Sequence, residues 1–212
     1  MNVGILGSGA VAQTLGAGFL SHGHAVMLGT RAPEKLAQWK ADNTAARVGS
    51  FAEAARFGTV VVLAVKGTAA LDALRAAGPE PLAGKCVIDT TNPIADAPPV
   101  HGVLKYFTSL DDSLMERLQR EFPAARFVKA FSCVGNALMV NPKLAGGPPT
   151  MFICGNDAAA KAEVTEILTQ FGWEASDLGR IEAARAIEPL AMLWCIPGFL
   201  HNDWRHAYKV LA

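Results

Sequence analysis

Val3-Gly4-Ile5-Leu6-Gly7-Ser8-Gly9-Ala10-Val11-Ala12 opens the chain as a short apolar run that meets two glycines and restarts as a helix-forming segment. Positions 7–12 read G-x-G-x-x-A. Each small residue answers a steric demand: the first glycine permits a tight turn, the second lets a pyrophosphate approach the backbone, and alanine lets helix lie close on strand. The helix start then offers unpaired N–H groups and the positive end of its dipole to the anion. The flanks strengthen the reading. Apolar residues recur over 11–20, Gly23 ends that stretch, and a second β-branched run begins at Ala25. Gly7, Ser8, Gly9, Ala10 and Val11 are therefore expected to cradle a dinucleotide.

Outward from that turn, the chain alternates short apolar runs with longer helical patterns. Strands are predicted over 25–28, 46–48, 59–65 and 86–89, continuous rather than alternating, as in strands covered on both faces. Helices are predicted over 33–41, with proline in the first turn, over 51–57, and over 68–77 before Gly78-Pro79. This is βαβ order, and it implies an α/β fold of Rossmann type, a doubly wound, mostly parallel sheet. After Asp89 a long loop carries Thr91-Asn92-Pro93 and Pro98-Pro99, and Asp111 or Asp112 opens a helix toward Phe122. Strands over 126–131 and 150–154 are expected to extend the same sheet. Asp157 is expected to cap a helix bearing Val164, Ile167, Leu168 and Phe171, closed by Gly172. From 181 to 211 the pattern is helical, broken at Pro189 and Pro197-Gly198, and about 180–212 is expected to pack as helices on a single domain spanning 1–212.

Composition narrows the partners. Of 212 residues 51% are apolar, so disorder is excluded; 19 basic residues balance 19 acidic ones, which gives no long-range attraction for nucleic acid or an anionic membrane. A small molecule is the expected partner. No Lys or Arg precedes Arg31, and Asn2, Gln13, Thr14, His22 and His24 interrupt the early apolar stretch, so neither an export signal nor a spanning helix is expected there. Cys86, Cys133, Cys154 and Cys195 form no C-x-x-C pair, which argues against zinc and for reduced core thiols of a cytoplasmic protein.

The end of the second predicted strand selects among dinucleotides. Where NAD-binding versions carry a carboxylate for the ribose 2′-OH, this chain has Gly29-Thr30-Arg31, followed by Lys35. A hydroxyl, a guanidinium and an ammonium suit a 2′-phosphate. NADP(H) is the expected cofactor.

Further motifs extend over nearly the whole length: Asp89-Thr90-Thr91-Asn92-Pro93, Val128-Lys129-Ala130-Phe131, Ile153-Cys154-Gly155-Asn156 and Ile187-Glu188-Pro189-Leu190. With Gly7-Ser8-Gly9 and Gly29-Thr30-Arg31 they make the chain resemble the F420-dependent NADP oxidoreductase family, whose fold also resembles the N-terminal domain of the STEAP metalloreductases. The resemblance implies hydride exchange between NADP(H) and a deazaflavin (F420) or a flavin (FMN or FAD), in a cleft at the C-terminal edge of the sheet. It also implies that Val65 and Lys66 border the ribose and nicotinamide path, and that Asn92-Pro93 and Ala130-Phe131-Ser132 form the floor under the nicotinamide. Members of the family usually carry Asn where this chain has Ser132, so the acceptor side departs from the pattern, and Cys133-Val134-Gly135-Asn136 assigns no flavin contact.

Direct hydride transfer needs alignment more than a proton donor, so no catalytic acid or base is nominated. His101, His201 and His206 have no partner identifiable in sequence and read as surface or loop residues. Asp111-Asp112 fits a helix cap better than a metal pair, and Trp194, Phe199 and Trp204 fit either core or an acceptor pocket. Two other readings remain: another NADP-linked reductase, of a small imine or carbonyl, and an NADP(H) sensor without turnover. The apolar cluster of Leu190, Met192, Leu193, Trp194, Ile196, Phe199 and Leu200 suggests a homodimer contact.

Overall fold

Val3 and Ile5 send their side chains to one face of a sheet and Leu6 to the other, and both faces are covered, which is why the first strand shows no polar alternation. The computed structural model describes residues 1–211. Its strands β1 (Asn2–Leu6), β2 (Ala25–Gly29), β3 (Arg47–Gly49), β4 (Val60–Leu63), β5 (Cys86–Asp89) and β6 (Arg126–Lys129) form one parallel sheet in the order β3-β2-β1-β4-β5-β6. On one face lie α1 (Ala10–Ser21) and α7 (Ala158–Gln170), packing Leu15, Phe19, Val164 and Ile167 against Val3, Ile5, Val62 and Ile88. On the other lie α3 (Phe51–Phe57), α4 (Ala70–Ala77), α6 (Leu114–Glu121) and α8 (Ala184–His201), packing Ala54, Leu74, Leu118 and Ile187 against Leu6, Val61, Leu63 and Val87. Gly4 lets α3 press onto the sheet, since a Cβ there would stand 2.0 Å from the Ala54 carbonyl oxygen. Connections leave β1 and β4 toward opposite faces, so a crevice opens at their carboxyl ends.

Several expectations need correction. The helix predicted over 33–41 begins as a 3-10 turn, Pro33–Leu36, before α2 (Ala37–Asp42), and a four-residue α5 (Pro79–Leu82) follows α4. Neither Asp111 nor Asp112 caps α6. Ser113 does, and Asp112 instead accepts from Arg117 and Arg120, each at 2.8 Å. The strand β7 (Thr150–Ile153) does not continue the large sheet. It pairs in parallel with β8 (Glu174–Asp177), and a single antiparallel bridge, Lys129 to Cys154, links it to β6. Phe131 takes a left-handed φ of 58°, which turns the chain away before a ladder can form.

The C-terminal segment is one helix, not two. α8 runs unbroken through Pro189 and Pro197, held on the domain by buried Ile187, Glu188, Ala191 and Trp194. Residues 202–211 form neither helix nor strand and return along α8 as a strap. Thr150 N donates to the Tyr208 carbonyl at 2.8 Å, Trp194 Nε1 to the His206 carbonyl at 2.8 Å, and Tyr208 Oη to the Leu190 carbonyl at 3.2 Å. Trp194, Phe199 and Trp204 pack around this strap, with ring centroids 5.5 Å apart for the tryptophans and 5.2 Å for Phe199 and Trp204.

The start of α6 is bound to α8 through Glu116. Its Oε2 accepts from Ser113 N at 2.8 Å and from Ser113 Oγ at 2.7 Å, and Arg185 Nη2 donates to its Oε1 at 2.6 Å. Burial alone would raise the Glu116 pKa, but Arg185 and the Ser113 donors outweigh it and hold the carboxyl below its ordinary range. The resulting stability is present above the ordinary glutamate range and is lost as pH falls through the lowered folded value. Glu116→Gln should therefore destabilise the protein by about 1–2 kcal/mol at neutral pH. In urea titrations the gap to the wild type should close in acid, once Glu116 is protonated in both folded and unfolded chains.

Candidate functional site: a cleft at the carboxyl edge of the sheet

The turn after β1 is built as its residue types require. Gly7 has φ 147°, donates its N–H to the Gly29 carbonyl at 2.9 Å, and leaves no room for a side chain: a Cβ would lie 2.1 Å from the Ala64 carbonyl oxygen. Gln13 Nε2 steadies the turn through the Ser8 carbonyl at 2.9 Å. Gly9 is the N-cap of α1, with no side-chain cap and no acidic residue in the first turn. A Cβ on Gly9 would meet nothing within 4 Å. The first N–H groups of α1 thus face open space beside a residue that adds no bulk, an arrangement suited to an anion.

That space is a cleft of about 770 Å³, within the range of small-molecule and cofactor sites. It gathers most of the residues singled out in the sequence. Gly7, Ser8, Gly9, Ala10 and Val11 form one wall; Thr30, Arg31 and Lys35 stand at one end; Val65 and Lys66, after β4, and Asn92, after β5, line the remainder. Thr30 is fixed by its N–H to the Gly49 carbonyl at 2.9 Å, and its Oγ1 accepts from Ala32 N at 3.0 Å, so the hydroxyl proton remains available to a ligand. Arg31 and Lys35 are exposed and form no salt bridge among the described residues, while Lys66 lies 3.8 Å from Asp96 across the mouth.

The floor differs from the expectation. Pro93 follows Asn92 without lining the cleft, and Ala130, Phe131 and Ser132 are buried and outside it. Phe131 turns inward against Phe171, ring centroids 6.1 Å apart, because its left-handed backbone points the ring into the core. Ser132 meets the cleft indirectly: its carbonyl accepts from Asn92 Nδ2 at 2.7 Å. Trp194, Phe199 and Trp204 do not border the cleft. The sequence reading missed Thr90 and Thr91 as wall residues and residues 94–97 as the rim. The threonines sat inside a quoted motif, whereas Ile94-Ala95-Asp96-Ala97 carries no signal of its own.

Beneath the floor lies a feature that residue spacing did not reveal. Lys129, with no exposed surface, places Nζ 2.7 Å from Asp89 Oδ2, 2.9 Å from Glu188 Oε1 and 2.9 Å from the Thr91 carbonyl. Glu188 also accepts from Leu114 N and Met115 N at the start of α6, each at 3.0 Å. Asp89 Oδ1 accepts from Thr91 N at 2.9 Å and Thr91 Oγ1 at 2.6 Å. Burial alone would lower the Lys129 pKa, but the two carboxylates outweigh it and hold it above the ordinary lysine value. The thiols are inert by comparison: burial pushes Cys86, Cys133 and Cys154 up to about 12.

Comparison with known proteins matches these features. The model of the family described as NADP oxidoreductase, coenzyme F420-dependent, matches residues 2–93. The crystal structure of a candidate F420-dependent NADP-reductase from Arthrobacter sp. FB24 is 35% identical, with a TM-score of 0.93 and 99% of both chains covered. The chain belongs to the F420-dependent NADP oxidoreductase family. Rat metalloreductase STEAP3 is 32% identical over 205 residues; the match takes in 93% of this chain and 38% of that protein, so the chain spans well under half of its length. A reductive aminase from Aspergillus terreus in complex with NADPH shares the fold, with a TM-score of 0.68 at 17% identity, over 95% of this chain and 62% of the aminase. As a member of this oxidoreductase family, the protein is an NADP-dependent oxidoreductase in class.

The turn that opens the cleft is sterically committed. Gly7→Ala should cost about 1–3 kcal/mol from backbone strain alone. Displacement of the Ala64 carbonyl should add to this, and thermal unfolding should show a lowered midpoint even without any ligand.

Proposed function

We propose that the protein transfers hydride between NADP(H) and a deazaflavin or flavin acceptor in the cleft at the ends of β1, β4 and β5. The observation that carries the reading is the uncapped start of α1 at Gly9, open to a cleft whose far end holds Arg31 and Lys35, neither of them in an ion pair among the described residues. The α1 N–H groups and Gly9 suit a pyrophosphate, and Thr30, Arg31 and Lys35 suit a 2′-phosphate through charge-assisted hydrogen bonds. Val65, Lys66 and Asn92 line the path toward the nicotinamide end. When bound, NADP(H) supplies the hydride at its nicotinamide C4. The protein's own contribution is alignment and exclusion of water. The hydroxyls of Thr90 and Thr91 donate to the Leu63 carbonyl and to Asp89, so neither is offered as a proton donor in this reading.

The 2′-phosphate contacts can be removed singly. Arg31→Ala and Lys35→Ala should each weaken NADPH binding by about 10–10²-fold, the worth of one hydrogen bond to a charged group, with little effect on the weaker binding of NADH. Isothermal titration with both nucleotides measures this, and equal loss for both would remove the phosphate role. Gly9→Ala should leave the melting temperature unchanged, because its Cβ meets no protein atom, yet weaken NADPH binding.

The acceptor is tested by anaerobic oxidation of NADPH with coenzyme F420, FMN, FAD or a ferric chelate. Reduction of F420 or a flavin supports the proposal. Turnover only with small imines or carbonyls would favour a reductase of another substrate class, and tight NADPH binding with no turnover would favour a sensor. The reading also takes the protein as a cytoplasmic homodimer in which a second copy covers α8. The helical stretch Ile181–His201 is only 33% buried, and Leu193, Phe199 and Leu200 are exposed on it. Light scattering that gives a monomer mass would reject that assembly.

A further inference from the structure

The buried ammonium of Lys129 touches the cleft only through the chain beside it. Its Nζ holds the Thr91 carbonyl at 2.9 Å, while Asp89, its ion partner, holds the Thr91 N–H and hydroxyl. Every polar group of Thr91 is thereby engaged from below. Asn92, the next residue, is fixed from three more directions. Its side-chain N–H donates to the Ser132 carbonyl, its carbonyl accepts from Ile94 N at 2.8 Å, and Gly67 stands so close that a Cβ would be 1.9 Å from that carbonyl oxygen. Among the described residues no protein group donates to Asn92 Oδ1, and none pairs with Ser132 Oγ nearby.

We propose that Lys129 is a positioning residue: clamped between Asp89 and Glu188, it sets the Thr91–Asn92 wall against which the nicotinamide end of the cofactor is aligned. This rests on the reading of the cleft as an NADP(H) site. The adenosine end is held by different elements, at Gly9, Thr30, Arg31 and Lys35. Loss of the clamp should therefore loosen one end of the cofactor and spare the other.

The variant is Lys129→Met with Glu188→Gln, which keeps the net buried charge at −1, since one cation and two carboxylates become one carboxylate. The second variant, Thr91→Val, leaves the ion cluster in place and removes only the hydroxyl bond to Asp89. Adenosine 2′,5′-bisphosphate, which has no nicotinamide, reports on the adenosine end. Its affinity should stay within about twofold in both variants, because distant sites act independently. Time-resolved fluorescence anisotropy of bound NADPH should gain a fast local component in both, larger in the double variant. The hydride-transfer rate in single-turnover NADPH oxidation should fall by about 10²-fold in the double variant, as a displacement of about 1 Å would cause. An immobile nicotinamide and an unchanged rate in the folded variants would overturn the proposal and leave Lys129 a purely structural residue. If the double variant does not fold, the anisotropy of Thr91→Val decides. Failure of the wild type to bind adenosine 2′,5′-bisphosphate would instead sink the cofactor reading itself.

Discussion

One buried ammonium joins segments that are remote in the chain. Lys129 ends β6, Asp89 ends β5 and Glu188 lies in α8, and all three side chains are almost wholly removed from water. Such a cluster is no simple gain in stability, because desolvation of three charges can exceed their mutual attraction. What makes it tolerable is the number of protein groups that meet its charges, although Asp89 Oδ2 is met by the Lys129 ammonium alone among the described residues. Glu188 takes two N–H groups and the dipole of α6, Asp89 takes both donors of Thr91, and the Thr91 carbonyl takes the third direction of Nζ. The same contacts orient α8 and α6 over the sheet and fix the chain where it leaves β5 for the cleft. Replacing Lys129 alone would strand two carboxylates, an outcome much worse than the absence of the whole cluster.

The large sheet was legible because its signal is local. Continuous β-branched runs, a glycine turn and the helix cap at Asp157 depend on few neighbours, and the structure places the first five strands within a residue or two of the prediction. The errors fall where tertiary contacts override local preference. Glu174-Ala175-Ser176-Asp177 has little strand character and becomes β8 because β7 offers it a parallel partner. Pro189 and Pro197 argue for breaks, yet buried contacts on either side of Pro189 keep α8 whole, and the Trp204 ring packs where a Cβ on Gly198 would lie. The strap over 202–211 is held by main-chain groups whose partners are far away in sequence, so no periodicity could announce it.

The site was legible in the same graded way. Gly7 to Val11 and Thr30 to Lys35 are contiguous or one turn apart, and the fold brings both groups to one cleft. The floor could not be, because it depends on the φ of one residue. Phe131 in the left-handed region sends its ring to the core, and Ser132 meets Asn92 through its carbonyl rather than its side chain. Asp89, Lys129 and Glu188 each lay in a quoted motif, but their meeting is a fact of topology: β5 and β6 are neighbours, and α8 lies across them.

A protein with no net charge must bind an anionic dinucleotide by placement rather than by a general field. Arg31 and Lys35, proposed for that role, form no ion pair among the described residues, unlike Arg117 and Arg120, which share Asp112, or Arg185, which is committed to Glu116. Leaving two cations solvated and unpaired costs little at the surface, where an ion pair is worth about 1 kcal/mol or less. The unpaired state keeps their donors available to a phosphate. The interior shows the opposite choice, with Lys129 saturated by protein groups and unavailable to any ligand. In the proposed reading the work is divided: the rim cations Arg31 and Lys35 recognise charge, and buried Lys129 holds the wall in place.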